Sequence, residues 1–106
     1  MKSLNFNNVK KSYLNVTLAD GTVLLIGTPT KRIFEELITI KDKLSDITSI
    51  DNLGVLFDIC AVVMSHNKTG KEITRDYLEE IYDFEDIILF FKSYLDFVNE
   101  IKNEKN

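Results

Sequence analysis

LGVLFDICAVVM, residues Leu53–Met64, is the most apolar stretch of this chain, and only Gly54 and Asp58 interrupt it. It is longer than a typical β-strand of about 5–6 residues. Four of its side chains recur at the spacing of one helical stripe: Leu53, Phe57, Cys60 and Met64. The pattern predicts a helix over 53–65 that is apolar nearly all round. Because such a helix is normally buried, we expect other elements to cover it and place it at the centre of the fold.

A β-hairpin is predicted upstream of this helix, over residues 13–26. Apolar and polar residues alternate over Leu14–Leu18, which is the period of a half-buried strand. Asp20-Gly21 follows as a tight-turn dipeptide, and Val23–Ile26 is the returning strand. Residues 1–12 are polar and Asn-rich, and we leave two alternatives for them, an arm or an edge strand.

Three further helices are predicted around the central one. The first covers about 30–46 and is capped by Thr28 or Thr30, and the central helix is capped by Ser49 or Asp51 after a connector at 45–49. A short helix follows Thr74, and the last helix, about 84–102, follows Asp83, with a frayed tail at 103–106. The fold class is therefore α+β and mainly helical, with an N-terminal hairpin and a helical body over 30–102. We expect a single domain, residues 1–106.

Charge is unevenly distributed along the 106 residues, although the net charge is only −4. Residues 1–32 carry five Lys/Arg and one acidic residue, whereas residues 33–106 carry eight Lys/Arg and sixteen acidic residues. The acidic body disfavours nucleic acid and anionic membranes as partners, because phosphate contacts need basic surfaces. Two copies of the chain could instead meet through their opposite charges.

Few residues are suited to catalysis or metal binding. Cys60 is the one cysteine and lies inside the apolar run, so we interpret it as a small buried hydrophobe. His66 is the one histidine and suits the C-terminal end of a helix. The segment NKTGKE at 67–72 lacks the earlier glycine of a phosphate-binding loop and reads as a turn. We therefore predict no catalytic, cofactor-binding or metal site, and no enzyme activity.

The last predicted helix carries more apolar side chains than a surface helix needs. Its apolar arc spans about 180°, against the roughly 100° that packing on one element requires. The excess either packs in the core or faces a partner. Five residues are the predicted partner-binding set: Phe90, Phe97, Tyr94, Ile88 and Leu95. On this hypothesis Phe97→Asp leaves folding nearly intact and abolishes binding, whereas Phe57→Ala in the central helix costs about 3–5 kcal/mol.

The order of these features resembles a family of small phage proteins. A hairpin carries LNVTLADGTVLLIGTPTK at 14–31, and a turn NKTGKEIT leads into DYLEEIYDFEDIILFFKSYLDFVNEI at 76–101. This arrangement is similar to that of tail assembly chaperones of long-tailed bacteriophages and of prophages in Gram-positive hosts. The resemblance covers roughly residues 14–101 and contains no catalytic motif.

The resemblance implies a non-enzymatic factor in viral tail assembly, present in the host cytoplasm and absent from the mature virion. Chaperones of this type bind the tape measure protein, keep it soluble and help to recruit the tail tube protein, and a homo-oligomer is compatible with that role. No cofactor is implied. The alternative is a small phage or prophage regulatory protein that inhibits a host factor by protein–protein contact.

Overall fold

The computed structural model describes residues 2–43 and 50–103. A two-stranded antiparallel sheet, β1 (Leu14–Thr17) and β2 (Val23–Ile26), is followed by four helices. These helices are α1 (Lys31–Lys43), α2 (Ile50–Ser65), α3 (Arg75–Ile81) and α4 (Phe84–Asn103). The predicted class, an N-terminal hairpin followed by four helices in a mainly helical α+β fold, is confirmed.

The hairpin turn owes its shape to Asp20 and Gly21. The Leu18 carbonyl accepts a hydrogen bond from the Gly21 N–H at 2.9 Å. The Leu18 N–H donates to the Thr22 carbonyl at 2.7 Å, and this pair encloses the loop of residues 19–21. Gly21 has φ +91°, which a residue without a Cβ adopts freely. The Asp20 carboxylate accepts the Thr22 N–H, and this bond lowers the pKa of Asp20. The result is a three-residue loop that sets the register of the two strands.

Side-chain caps fix the starts of three helices. The Thr30 hydroxyl accepts the Ile33 N–H at the start of α1, and Thr74 accepts the Tyr77 N–H at the start of α3. Before α4, Asp83 and Asp86 each accept the other's backbone N–H, which is a reciprocal capping box. Thr30 is therefore the cap of α1, and the predicted caps Thr74 and Asp83 are confirmed.

The core forms around α2, which packs against β2 and the three other helices. Fully enclosed side chains come from every one of these elements and include Leu24, Ile26, Leu37, Leu56, Leu78, Phe91 and Tyr94. The joint between α2 and α3 is closed by Ser65, whose hydroxyl donates to the Ile73 carbonyl and accepts the Ile73 N–H. The central position predicted for this helix is confirmed.

Three details differ from the sequence-based expectations or lie outside the described residues. Residues 2–13 form no strand; they contain one 3₁₀ turn, Phe6–Asn8, and their side chains are mostly exposed. Phe57 is only partly buried, so Phe57→Ala should cost less than a core truncation. The predicted connector at 45–49, with its Ser49 cap, and tail residues 104–106 lie outside the described ranges; the alternative cap Asp51 is wrong, because it lies within α2.

Candidate interaction surfaces

The predicted partner-binding residues on α4 mostly face the interior. Tyr94, Phe97 and Phe90 are 0%, 8% and 9% exposed. Their rings pack in a row, with centroids 6.2 Å apart between Phe90 and Tyr94 and 5.9 Å apart between Tyr94 and Phe97. Ile88 and Leu95 are partly buried against the same core. The core alternative is thus the better account of the three aromatic residues, and they offer a partner little surface.

Tyr94 also connects α4 to the hairpin. Its hydroxyl donates to the Gly27 carbonyl at 2.8 Å, just after β2 ends. Burial raises the pKa of Tyr94, because the phenolate would lose its hydration. The neutral phenol therefore remains a hydrogen-bond donor at physiological pH.

An open apolar stripe lies instead on α2. Val55 and Val62 are 39% and 44% exposed, although they belong to the most apolar helix of the chain. They lie seven residues apart, two helical turns, with Asp58 and Ile59 between them. With Ile59 and Ile40 these valines form the floor of a groove of about 430 Å³ between α1 and α2.

The rim of this α1/α2 groove is charged, with more acidic than basic groups. Arg32, Glu35 and Glu36 project from α1, and Asp58 projects from α2. Glu35 is paired with Lys31 at 2.6 Å, and Asp58 receives the Arg75 guanidinium at 3.1 Å. Arg75 also bonds Glu79 within α3, and these two carboxylates raise its pKa further. An apolar floor with charged margins is the form of a site that receives an amphipathic helix.

The exposed edge of β1 borders a second apolar groove. The groove of about 350 Å³ separates β1 from α4 and is lined by Leu14, Val16, Leu89 and Phe90 among others. Leu89 is 66% exposed, which makes it the most exposed large apolar residue of α4. At the hairpin tip, the Tyr82 hydroxyl accepts the Ala19 N–H at 2.9 Å and joins the turn to the α3–α4 junction.

Cys60 and His66 are the one cysteine and the one histidine of the chain, and each has a structural role. Burial raises the pKa of the Cys60 thiol to about 12, so the thiol stays protonated and unreactive at neutral pH. The His66 ring bonds the Thr28 carbonyl at 2.9 Å, which ties the end of α2 to the segment after β2. Within residues 2–43 and 50–103 no group of acidic, histidine or cysteine side chains is arranged to hold a metal ion.

The 67–71 segment folds around Asn67, as the predicted turn requires. The Asn67 amide donates to the carbonyls of Met64 and Lys71, and its oxygen accepts from Thr69 and from the Lys71 N–H. Gly70 has φ +77°. The N–H groups of Gly70 and Lys71 are thus bonded within the turn and that of Lys68 is bonded to β2, so none of the three is free to bind a phosphate.

Sequence reasoning missed Val55 and Val62. Their signal is the excess of apolar residues around α2, which by periodicity alone predicts complete burial. Asp58 marks the exposed face, and its apolar neighbours one turn away on either side could have been read as part of that face.

In comparisons with known proteins, no family model, curated protein or solved structure matched the chain. Among the described residues, no helix has the length and apolar character needed to cross a membrane.

Proposed function

We propose that this chain is a non-enzymatic phage tail assembly chaperone that binds a helical segment of the tape measure protein in its α1/α2 groove. One observation carries the proposal. The most apolar helix of the fold leaves Val55 and Val62 exposed, and both lie in a groove that none of residues 2–43 and 50–103 fills.

The chemistry of the groove supports a helical client. Two exposed valines two turns apart match the contact spacing of an apolar helix face laid along them. The acidic rim favours a client helix with basic residues beside its apolar face. The acidic body keeps a complex with an apolar client dispersed, because net charge opposes association.

Partner and compartment follow from the resemblance to tail assembly chaperones and belong to the same proposal. The tape measure protein is the client, the tail tube protein joins later, and the chain acts in the host cytoplasm without entering the mature virion. The groove accounts for the proposed role by binding alone, and a chaperone that holds a client needs no catalytic step.

The test is co-expression with the tape measure protein encoded in the same tail-gene region. We expect the two proteins to co-purify, and we expect Val62→Asp to reduce capture at least tenfold, since it places a charge on the groove floor. Ile38→Asp is the matched control, because Ile38 is 40% exposed on α1 and does not line the groove.

Two results would contradict the proposal. If Ile38→Asp and Val62→Asp reduced capture equally, the α1/α2 groove would not be the binding site. If the tape measure protein failed to co-purify and a host enzyme were captured and inhibited through the same groove, the chain would be a regulatory protein acting by contact.

A further inference from the structure

The outer edges of β1 and β2 differ in their main-chain hydrogen bonding. The outer edge of β2 is covered by the segment after α2: Lys68 donates its N–H to the Leu25 carbonyl at 2.9 Å, and Gly27 donates to the His66 carbonyl at 3.0 Å. Ile26 and Asn67 form an antiparallel bridge there. Among the described residues, β1 is paired on one side only, because the sheet there has two strands in the order β1–β2.

The register shows which main-chain groups of β1 are open. Leu18 donates its N–H to Thr22, so this is a hydrogen-bonded pair, and such pairs alternate along antiparallel strands. Val16 and Leu14 therefore direct their amides toward β2, whereas Asn15 and Thr17 direct theirs outward. In the described part of the chain, no group bonds the outward amides of Asn15 and Thr17.

The apolar face of the sheet is also incomplete at β1. Leu24 and Ile26 of β2 are almost completely enclosed, but Leu14 and Val16 opposite them are only partly buried. The β1/α4 groove begins at that point and exposes Leu89. A strand added to β1 would continue the apolar row and cover these side chains, which is the usual way to complete an open edge.

The charges at the two ends of β1 indicate which strand would pair with its open edge. The segment before β1 carries exposed Lys10 and Lys11, and the region beyond its other end carries Asp20, Asp83 and Asp86, all exposed. Antiparallel pairing brings the basic end of one β1 beside the acidic end of the other. A register centred on Asn15 places Leu14 opposite Val16 and Thr17 opposite Tyr13 of the second copy, and it brings the segment with Lys10 toward the hairpin turn that carries Asp20.

We propose that two copies of this chain associate through their β1 edges, in antiparallel register centred on Asn15, to form one four-stranded sheet. The interface is isologous, because the same edge serves both copies. The second copy also fills the groove beside α4 and buries Leu14, Val16 and Leu89. This surface is separate from the α1/α2 groove, so the dimer does not depend on the proposed client.

Cysteine cross-linking tests the register directly. In the centred register the two Asn15 Cα atoms lie about 5.5 Å apart, within disulfide reach. We expect Asn15→Cys to give a covalent dimer under mild oxidation. Thr17→Cys, the matched edge control, should cross-link at least tenfold more slowly, because it faces Tyr13 rather than itself. The native Cys60 is buried and does not compete. Equal cross-linking at both positions, or none at either, overturns the proposed register.

Light scattering on a sizing column tests the edge itself. We expect the native chain to be dimeric at tens of micromolar and the dimer to weaken as salt is raised. Asn15→Pro should be monomeric, because it removes an outward N–H that the hairpin does not use, whereas Asn15→Ala should remain dimeric. If Asn15→Pro fails to fold, Lys10→Glu with Lys11→Glu takes its place, since both lysines precede β1, and it should also be monomeric. A native monomer throughout, or a dimer unchanged in the variant tested, overturns the proposal.

Discussion

α2 and α4 both carry more apolar surface than packing on a single neighbour requires, but the fold covers them differently. Four of the five aromatic residues of α4 turn inward, and Phe90, Phe91, Tyr94 and Phe97 are buried in the core, whereas Phe84 at the start of the helix is exposed. α2 lies at the centre and touches every helix and β2, yet Val55 and Val62 stay open to solvent. A central helix can thus hold the core together with most of its circumference and still present a binding stripe with the rest.

The largest loss of folding stability is expected for a substitution of Phe97 in α4. Phe97→Asp removes a buried ring and leaves a carboxylate among apolar side chains, so it should cost at least the about 3–5 kcal/mol of a Phe→Ala change. This reverses the expectation from sequence that the variant folds normally. Urea unfolding measures the cost, with Phe97→Leu as the control. A loss of stability below 1 kcal/mol would mean that Phe97 lies on the surface and not in the core.

Truncating two phenylalanines compares the buried faces of the helices. Phe91→Ala in α4 should cost about 3–5 kcal/mol, because the side chain is enclosed and a cavity remains. Phe57→Ala in α2 should cost clearly less, because Phe57 already contacts solvent. Thermal and urea unfolding of the two variants give the difference. Equal costs would show that Phe57 is as well packed as Phe91.

Alkaline pH should weaken the packing of α2 through Cys60. The folded thiol ionises near pH 12, above its ordinary value of 9.0, so the unfolded chain loses this proton first as pH rises. Stability from this group is complete below about pH 9 and declines up to about pH 12, by about 1.4 kcal/mol at pH 10. Urea unfolding at pH 7.5 and 10 measures the decline. Cys60→Ala should show a smaller decline, since the tyrosines contribute equally to both proteins.

A smaller effect isolates the bond between α4 and the hairpin. Tyr94→Phe keeps the ring and removes the hydroxyl that donates to Gly27, so it should cost about 1 kcal/mol. Urea unfolding provides the measurement, and Tyr82→Phe provides a control, since its lost hydroxyl accepts the Ala19 N–H at the exposed hairpin tip. An unchanged stability for Tyr94→Phe would mean that water replaces the phenol at the Gly27 carbonyl.

The smallest effect on folding is expected on the open stripe of α2. Val62→Ser should change the free energy of unfolding by about 0.5 kcal/mol or less, because the side chain is 44% exposed. Val63→Ser, one position along and enclosed in the core, should cost several times more. Similar losses at Val62 and Val63 would mean that the stripe is covered and that no groove floor is available to a client.

Local patterns explain what could be predicted from the sequence. The hairpin, its Asp20-Gly21 turn and the caps Thr74 and Asp83 depend on neighbours a few residues away, so their signals lie within a short window. Which side of an apolar helix stays uncovered depends on distant elements. α1 and α3 flank the face of α2 that carries Val55 and Val62, and no spacing within α2 records how far apart those flanking helices stand.

The Tyr94–Gly27 bond joins groups 67 residues apart, and the Ala19–Tyr82 bond joins groups 63 residues apart. The hairpin is therefore synthesised well before the two tyrosines to which it is hydrogen-bonded. A nascent chain stalled before residue 84 lacks Tyr94 and the other buried aromatic residues of α4, so it should stay sensitive to protease. Because α4 is synthesised after the hairpin and the other helices, the core can be completed only once Phe90, Tyr94 and Phe97 have been added.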